Sequence, residues 1–465
     1  MMREPAFTLL KKPAPVALRG KRVLVLGLGD TGLSVARWVS EQGGRAVVAD
    51  SRASPPRLKE LQGEEVVTGK FEASLLKGVD LVCISPGLSL EEEIVRAAVA
   101  KGIPVTGDVE LFAWTVGGRN SEKVIAVTGT NGKSTVTALT GHLLRSAGID
   151  CEVAGNISPP ALDALRARRQ PPAAWVLELS SYQLETTWSL APAAAAMLNL
   201  SEDHLDRYRG LAEYAAAKAR VFLGAGAQVL NRCDSASMSM ALEGRAQVTF
   251  GLDSPELPED FGIGSGKNAG FLVRGGERIL ASADLPIAGA HNASNALAAC
   301  ALAQLAGAPL ASLAKGLRSF KGLPHRMQRI AARGGVEWLD DSKGTNVGAT
   351  VAALRGLAKP AVLILGGEGK GQHFAPLAAA VREHARHVLL IGRDAPLIEK
   401  ALAGAGVPAV VPVERCDSLA AAVRRAAKVA RAGDAVLLSP ACASFDMFRD
   451  YQHRGEAFAA AVKAL

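Results

Sequence analysis

Short apolar runs alternate with longer amphipathic stretches along almost the whole chain, and that alternation predicts parallel sheets flanked by helices. In the first part, strands are expected at Arg22–Leu26, Ala46–Ala49 and Leu81–Ile84, with helical segments between them. The run G-G-R-N-S at Gly117–Ser121 then breaks the pattern, as a linker would. A second series opens with K-V-I-A-V-T at Lys123–Thr128, which leads straight into a glycine-rich loop and a helix starting near Lys133. Further strands are expected at Trp175–Leu179 and Ala194–Leu200. Residues 246–286, rich in Gly, Pro and short β-like pieces, predict a small β subregion or excursion. An Ala-rich helix from His291 to about Leu305 and another ending near Phe320 close this part. A third series carries strands at Val336–Leu339, Ala361–Leu365, His387–Ile391 and Ala435–Ser439. No repeat of fixed period runs through the three.

The pattern therefore predicts an α/β protein of three domains, residues 1–119, 120–321 and 322–465. The length of 465 residues agrees, at roughly 150 residues per domain.

Composition narrows the function classes. The chain is 49% hydrophobic and 21% charged, which is ordinary for a globular α/β protein and far from disordered or fibrous classes. Net charge is +8, but basic and acidic residues alternate, with no basic stripe interleaved with aromatics, so no nucleic-acid partner is expected. The surplus suits small polyanions such as nucleotides, although most such charge is solvated surface. Six scattered cysteines without metal-ligand spacing read as reduced thiols in a cytosol. No apolar run is long enough for a signal peptide or a membrane span, so a cytoplasmic protein without membrane insertion is expected.

Candidate chemistry lies in loops that follow strands. V-T-G-T-N-G-K-S-T, Val127–Thr135, has the context of a phosphate site: backbone amides and a helix N-terminus face an anion, Lys133 adds charge, and Ser134 or Thr135 can ligate magnesium. It is a variant loop, because the first glycine of G-x-x-x-x-G-K-[ST] is replaced by Val127. G-L-G-D-T-G, Gly27–Gly32, with Asp50 at a later strand end, taken alone reads as a dinucleotide fingerprint and keeps an NAD-dependent oxidoreductase open. Any nucleotide diphosphate would satisfy the same geometry. Glu178 and Asn199–Asp206, with Asp203 and His204, end strands beside the phosphate loop, where magnesium ligands belong. Glu178 alone could also be a surface carboxylate or a helix cap. In the last domain, Asp340–Asn346, Gly366–Gly371 and Ser439–Asp446 form three polar loops on one sheet edge and predict a second substrate face.

At the level of these motifs the chain resembles the Mur ligases of peptidoglycan synthesis, and within them the branch that adds D-glutamate. G-T-N-G-K-S-T is shared with folylpolyglutamate synthetases and marks only the wider group. The closer likeness rests on E-L-S-S-Y-Q-L-E (Glu178–Glu185), L-S-E-D-H-L-D-R-Y (Leu200–Tyr208), H-N-A-S-N-A-L-A-A (His291–Ala299), L-P-H-R-M (Leu323–Met327), D-S-K-G-T-N and S-P-A-C-A-S-F-D-M-F. The D-N-P-R signature of the ligases that add a diamino residue is absent.

The resemblance implies a Rossmann-like UDP-binding N-terminal domain, a central P-loop-type ATPase domain and a Rossmann-like C-terminal domain that binds the amino acid. It also implies an ATP-dependent ligase that phosphorylates the carboxylate of UDP-N-acetylmuramoyl-L-alanine and joins it to D-glutamate, acting as a monomer in cell-wall synthesis and so in cell shape and division. A related ligase using another amino acid is the alternative. By the same likeness, ATP is held by Gly129, Thr130, Asn131, Gly132, Lys133, Ser134, Thr135, Asn295, His325, Arg326 and Asp341. Gly29, Thr31, Ser51, Arg52, Ser85, Gly87 and Asn156 match the UDP-substrate pocket. Lys343, Thr345, Lys370, Ser444 and Tyr451 match the D-glutamate face. Lys133, Glu178, His204 and Lys218 match catalytic positions, and Ser134, Glu178, His204 and a carbamylated Lys218 surround two magnesium ions. From pattern alone Lys218, in A-A-A-K-A-R, reads as helix surface. Departures from the family pattern are Gly344 for Ala, Tyr182 and Tyr451 for Phe, and Ser158 for Gly.

Overall fold

The computed structural model describes residues 5–117, 122–287 and 289–465. Residues 118–121 of the expected linker, and the domain boundary after residue 119, lie outside the described residues. The first sheet holds β1 (Arg22–Leu26), β2 (Arg45–Asp50), β3 (Glu65–Thr68), β4 (Leu81–Ile84) and β5 (Val105–Thr106), all parallel, in the order β3-β2-β1-β4-β5. Strand order reverses between β1 and β4, and such a switch point opens a ligand crevice at the strand C-termini. The Gly27–Gly32 loop leaves β1 at that crevice.

The central sheet contains β6 (Lys123–Thr128), β7 (Cys151–Gly155), β8 (Ala174–Glu178), β9 (Ala194–Met197), β10 (Ala227–Asn231), β11 (Gln247–Phe250), β12 (Phe261–Ile263), β13 (Phe271–Arg274) and β14 (Glu277–Ala281). Their order is β14-β13-β12-β11-β10-β9-β6-β8-β7. The β excursion expected at 246–286 is present as β11–β14. Its strands prolong the central sheet, parallel through β11 and β12 and antiparallel from β12 to β14. The third sheet, β15 (Gln328–Arg333), β16 (Val336–Asp340), β17 (Ala361–Gly366), β18 (Ala385–Ile391), β19 (Val413–Arg415) and β20 (Ala435–Leu438), runs β15-β16-β20-β17-β18-β19 with only β15 antiparallel.

Two features fix the frame around the site. The first and second units share one apolar core, in which Val25, Val109 and Phe112 join Ala126, Trp175 and Leu177. Helix Asp108–Val116 crosses that junction and locks it with buried acids. Glu110 accepts from the amides of Trp188 and Ser189, at 2.7 and 2.8 Å, and Gln183 Nε2 donates to Asp108 at 3.2 Å. By contrast, the buried apolar clusters of the third unit draw only on residues beyond Met327 among those described. Helix Ala290–Ala306 is apolar all round, buried from Ala296 to Ala303, and packs on helix Lys133–Ser146. No helix among the described residues is long and apolar enough to cross a membrane.

Candidate active site

The phosphate loop joins β6 to helix Lys133–Ser146, whose first turn is preceded by Gly132 at φ +85°. A Cβ on Gly132 would collide with the Asn295 side chain, so both conformation and space require glycine. The loop is braced from the end of β9. Asn199 Oδ1 accepts from the Asn131 amide at 2.8 Å, Asn199 Nδ2 donates to Asn131 O at 3.0 Å, and Thr130 N donates to Asn199 O at 2.8 Å. Lys133 Nζ folds back on the carbonyls of Gly129 and Thr130, both at 2.9 Å.

Cations from two units converge here. From the third, Lys343 Nζ lies 2.9 Å and Arg326 Nη2 3.3 Å from Ser134 Oγ. Lys218 Nζ reaches the Gly129 carbonyl at 2.8 Å and sits 4.6 Å above the Tyr214 ring. Lys218 is only 1% exposed, which overturns the surface reading that pattern alone supports: its helix turns this residue inward, against the loop. Burial, with Lys133 adding to it, drives the Lys218 ammonium well below its ordinary value. Burial and then Arg326 bring Lys343 down to about 8. The buried Nε of Arg326 has no partner among the described residues. So much positive charge in one place fits a polyphosphate, whose oxygens would satisfy these donors.

Glu178 is likewise buried, not a surface carboxylate, because it ends an interior strand. Asn156 Nδ2 donates to its Oε1 at 2.7 Å, while its buried Oε2 has no partner among the described residues. His204 follows with φ +56°, its ring 4.9 Å from that of Tyr182. Burial, against the pull of Asp203, lowers its imidazole to about 4 and leaves it neutral at working pH. Among the described residues no three His, Cys, Asp or Glu side chains form a metal cage. A magnesium ion needs none, since phosphate oxygens and water supply most of its shell. The orphaned oxygen of Glu178 and the hydroxyl of Ser134 fit such an ion.

Beside the loop, a cleft of about 300 Å³ is lined by Asn131, Gly132, Thr135, Asn295, Arg326 and Asp341 of the expected ATP set, and also by His291 and Asn292. His325 is not in this wall; its Nδ1 pairs with Asp340 Oδ2 at 2.7 Å. A larger cleft of about 650 Å³ contains all seven residues expected at the UDP end, from Gly29 to Asn156, and Phe445 of the third unit also lines it. Asp50 offers no free oxygen to a ribose: Arg52 and the Leu28 amide occupy both. Arg52 holds its carboxyl down to about 2, and the dinucleotide reading loses its acid. Of the residues expected at the amino-acid face, Lys343 lies over the Tyr451 ring at 5.1 Å, and the charge of Lys370 bears on Asp203 and His204. Ser444 is buried, and the Thr345 amide bonds the Lys343 carbonyl at 3.0 Å.

Three family models match in the same order as the three sheets: the Mur ligase MurD-like N-terminal domain over residues 21–107, the Mur ligase middle domain over 127–303, and the Mur ligase glutamate ligase domain over 325–442. The chain is 53% identical to the UDP-N-acetylmuramoylalanine–D-glutamate ligase of Nitrosospira multiformis, over 96% of each chain. It belongs to the Mur ligase family. A second Mur ligase of the same name, from Aromatoleum aromaticum, is also 53% identical, over 97% of this chain and 98% of its own. Among solved Mur ligase structures, the UDP-N-acetylmuramate-alanine ligase of Thermotoga maritima superposes with a TM-score of 0.60 at 19% identity, covering 95% of this chain and 99% of its own. Acinetobacter baumannii MurF gives 0.59 at 18% identity, covering 97% and 92%. At such identities these two speak for the Mur ligase fold alone.

Several residues in or beside these walls carry little signal in the sequence. His291 and Asn292 stand out only as polar residues opening an otherwise apolar helix. Asn346 gave no signal beyond its place in D-S-K-G-T-N, and Phe445 looked like one more residue of a loop.

Proposed function

We propose that this Mur ligase joins D-glutamate to UDP-N-acetylmuramoyl-L-alanine at the expense of ATP, as a monomer in the cytoplasm. The observation that carries the reading is the convergence of Lys343 and Arg326 on Ser134, at the head of the loop that holds Lys133, beside a cleft that runs through Asn156 to the Gly27–Gly32 loop. In this reading residues 1–119 bind the UDP end, 120–321 bind ATP, and 322–465 bring in the amino acid.

The reaction is phosphorylation of the substrate carboxylate, followed by attack of the D-glutamate amine on the acyl carbon with loss of phosphate and a proton. A carboxylate is a poor electrophile until its oxygen becomes a leaving group. There is little covalent work for side chains, so positioning and charge neutralisation do most of the catalysis. Lys133 and Arg326 neutralise charge that grows on the transferred group, and Asn156 orients Glu178. Magnesium, held by Ser134, Glu178 and His204, would neutralise phosphate oxygens. Lys218 serves as a carbamate: burial disfavours its charged ammonium, and the neutral amine is the form that adds carbon dioxide, with loss of a proton. The resulting anion would face the metal where an ammonium would repel it. Lys343, Thr345, Lys370, Ser444 and Tyr451 receive D-glutamate.

The deciding experiment is phosphate release from ATP and magnesium with UDP-N-acetylmuramoyl-L-alanine, with and without D-glutamate. Release is expected only with all components. Release that ignores D-glutamate, or that another amino acid supports better, overturns the assignment.

A further inference from the structure

We propose that Asn346 is the positioning residue that couples seating of the third unit to the geometry of the phosphate loop, a role that rests on the ligase reading above. Its side chain divides its hydrogen-bonding capacity between two tasks. Oδ1 accepts from the Ala349 amide at 2.8 Å and caps helix Val347–Arg355. Nδ2 crosses the seam between units and donates to Asn131 Oδ1 and to Asp203 Oδ2, each at 3.1 Å. An amide nitrogen has two hydrogens, so both donors are used.

The two acceptors belong to the two halves of the site. Asn131 lies in the phosphate loop, while Asp203 accepts from the backbone amide of His204 at 2.9 Å and so sets the strand tip that carries it. Asn346 is 3% exposed and Asp203 7%, so these bonds form away from water, where loss of one partner leaves a buried acceptor unsatisfied. The approach is close on both sides: a Cβ on the neighbouring Gly348 would lie 3.2 Å from Ser201 Oγ and 3.3 Å from Asn131 Nδ2. Lys343 and Arg326 also cross the seam, but as like charges they repel until an anion joins them. Asn346 is neutral and needs no ligand. No buried apolar cluster among the described residues spans the seam, and this amide sets the register in which the cations meet the loop.

Four forms separate positioning from folding. N346S and N346D keep an oxygen that caps the helix, but N346D has no donor and N346S one hydroxyl hydrogen in place of two amide hydrogens; N346A loses both functions. N346S is expected to melt below the wild type but above N346A, which also loses the cap, and to bind ADP within about threefold of the wild type, while kcat falls at least tenfold. N346D falls further, because two carboxylates then face each other. X-ray scattering of the nucleotide-free proteins should show N346D more expanded than the wild type, and equal dimensions would contradict the seat. Near wild-type turnover in N346S, or a loss confined to N346A and matched by its melting temperature, overturns the proposal. Wild-type phosphate release under the substrate conditions above is the control for the ligase reading. If that control fails, the scattering comparison still judges the latch.

Discussion

Lys133 and Lys218 share a charge type and a loop, yet their chemistry points in opposite directions. Lys133, folded on the carbonyls of Gly129 and Thr130, is placed to swing toward phosphate oxygens. Lys133→Ala is expected to lower kcat by about 100-fold, or ~3 kcal/mol, in the phosphate-release assay; near wild-type turnover would remove it from the charge clamp. Lys218→Ala should also lose activity, but bicarbonate or a short carboxylate added to the assay should restore part of it by supplying the missing anion. Full activity without any additive would take Lys218 out of the metal shell. Asp341 yields a test of a different kind. Burial pushes its carboxyl up to about 7 from 3.8, so between those pH values the folded chain holds more protons than the unfolded one. Stability therefore falls as pH rises through that window. Asp341→Asn should flatten the dependence and gain on the order of 1–3 kcal/mol at pH 8, while weakening ADP binding. Denaturant titrations at pH 5 and pH 8 check the first part, and parallel curves for the two proteins would refute it.

At the scale of elements, the strands that pattern reading found are those buried on both faces, such as β1, β6 and β17. Those it missed are mostly edges. β3, β15 and β19 contain no fully buried residue, so they carry little apolar signal. β10 is interior, but its fully buried Gln228, bonded to Met240 and Leu242, breaks the apolar run. The site shows the same division. Gly132 and Lys133 were legible because loop chemistry demands them, whereas Lys218 and Glu178 needed the fold, or a family likeness, to show that they point inward. Asn346 was illegible because its partners are 143 and 215 residues away in sequence. The loop-to-helix junction makes one further prediction. Gly132→Ala must force a left-handed backbone and push Asn295 aside, so it should destabilise the protein by ~1–3 kcal/mol and reduce ADP affinity, both read by thermal shift. An unchanged melting point would mean that the loop relaxes freely.

On the scale of the whole molecule, the gathered cations are held at a cost until an anion arrives. Lys343, lowered to about 8 against 10.5 in the unfolded chain, makes the fold gain stability as pH rises from about 8 toward 10.5. ADP should raise its affinity for protons again, so binding near pH 8 is expected to take up protons, which calorimetry in buffers of different ionisation enthalpy will detect. Binding that releases protons or exchanges none would contradict the cluster. Among the described residues no buried apolar cluster spans the third unit and the rest. The first two units, fused through Val25, Phe112 and Trp175, are one cooperative block, and the third is another that is joined to it through polar contacts. For an engineer this is a natural cut: a third unit taken from a relative could be grafted onto the first two if its seam offered the same few polar partners and the side chains that complete the two clefts, such as Arg326, Asp341 and Phe445.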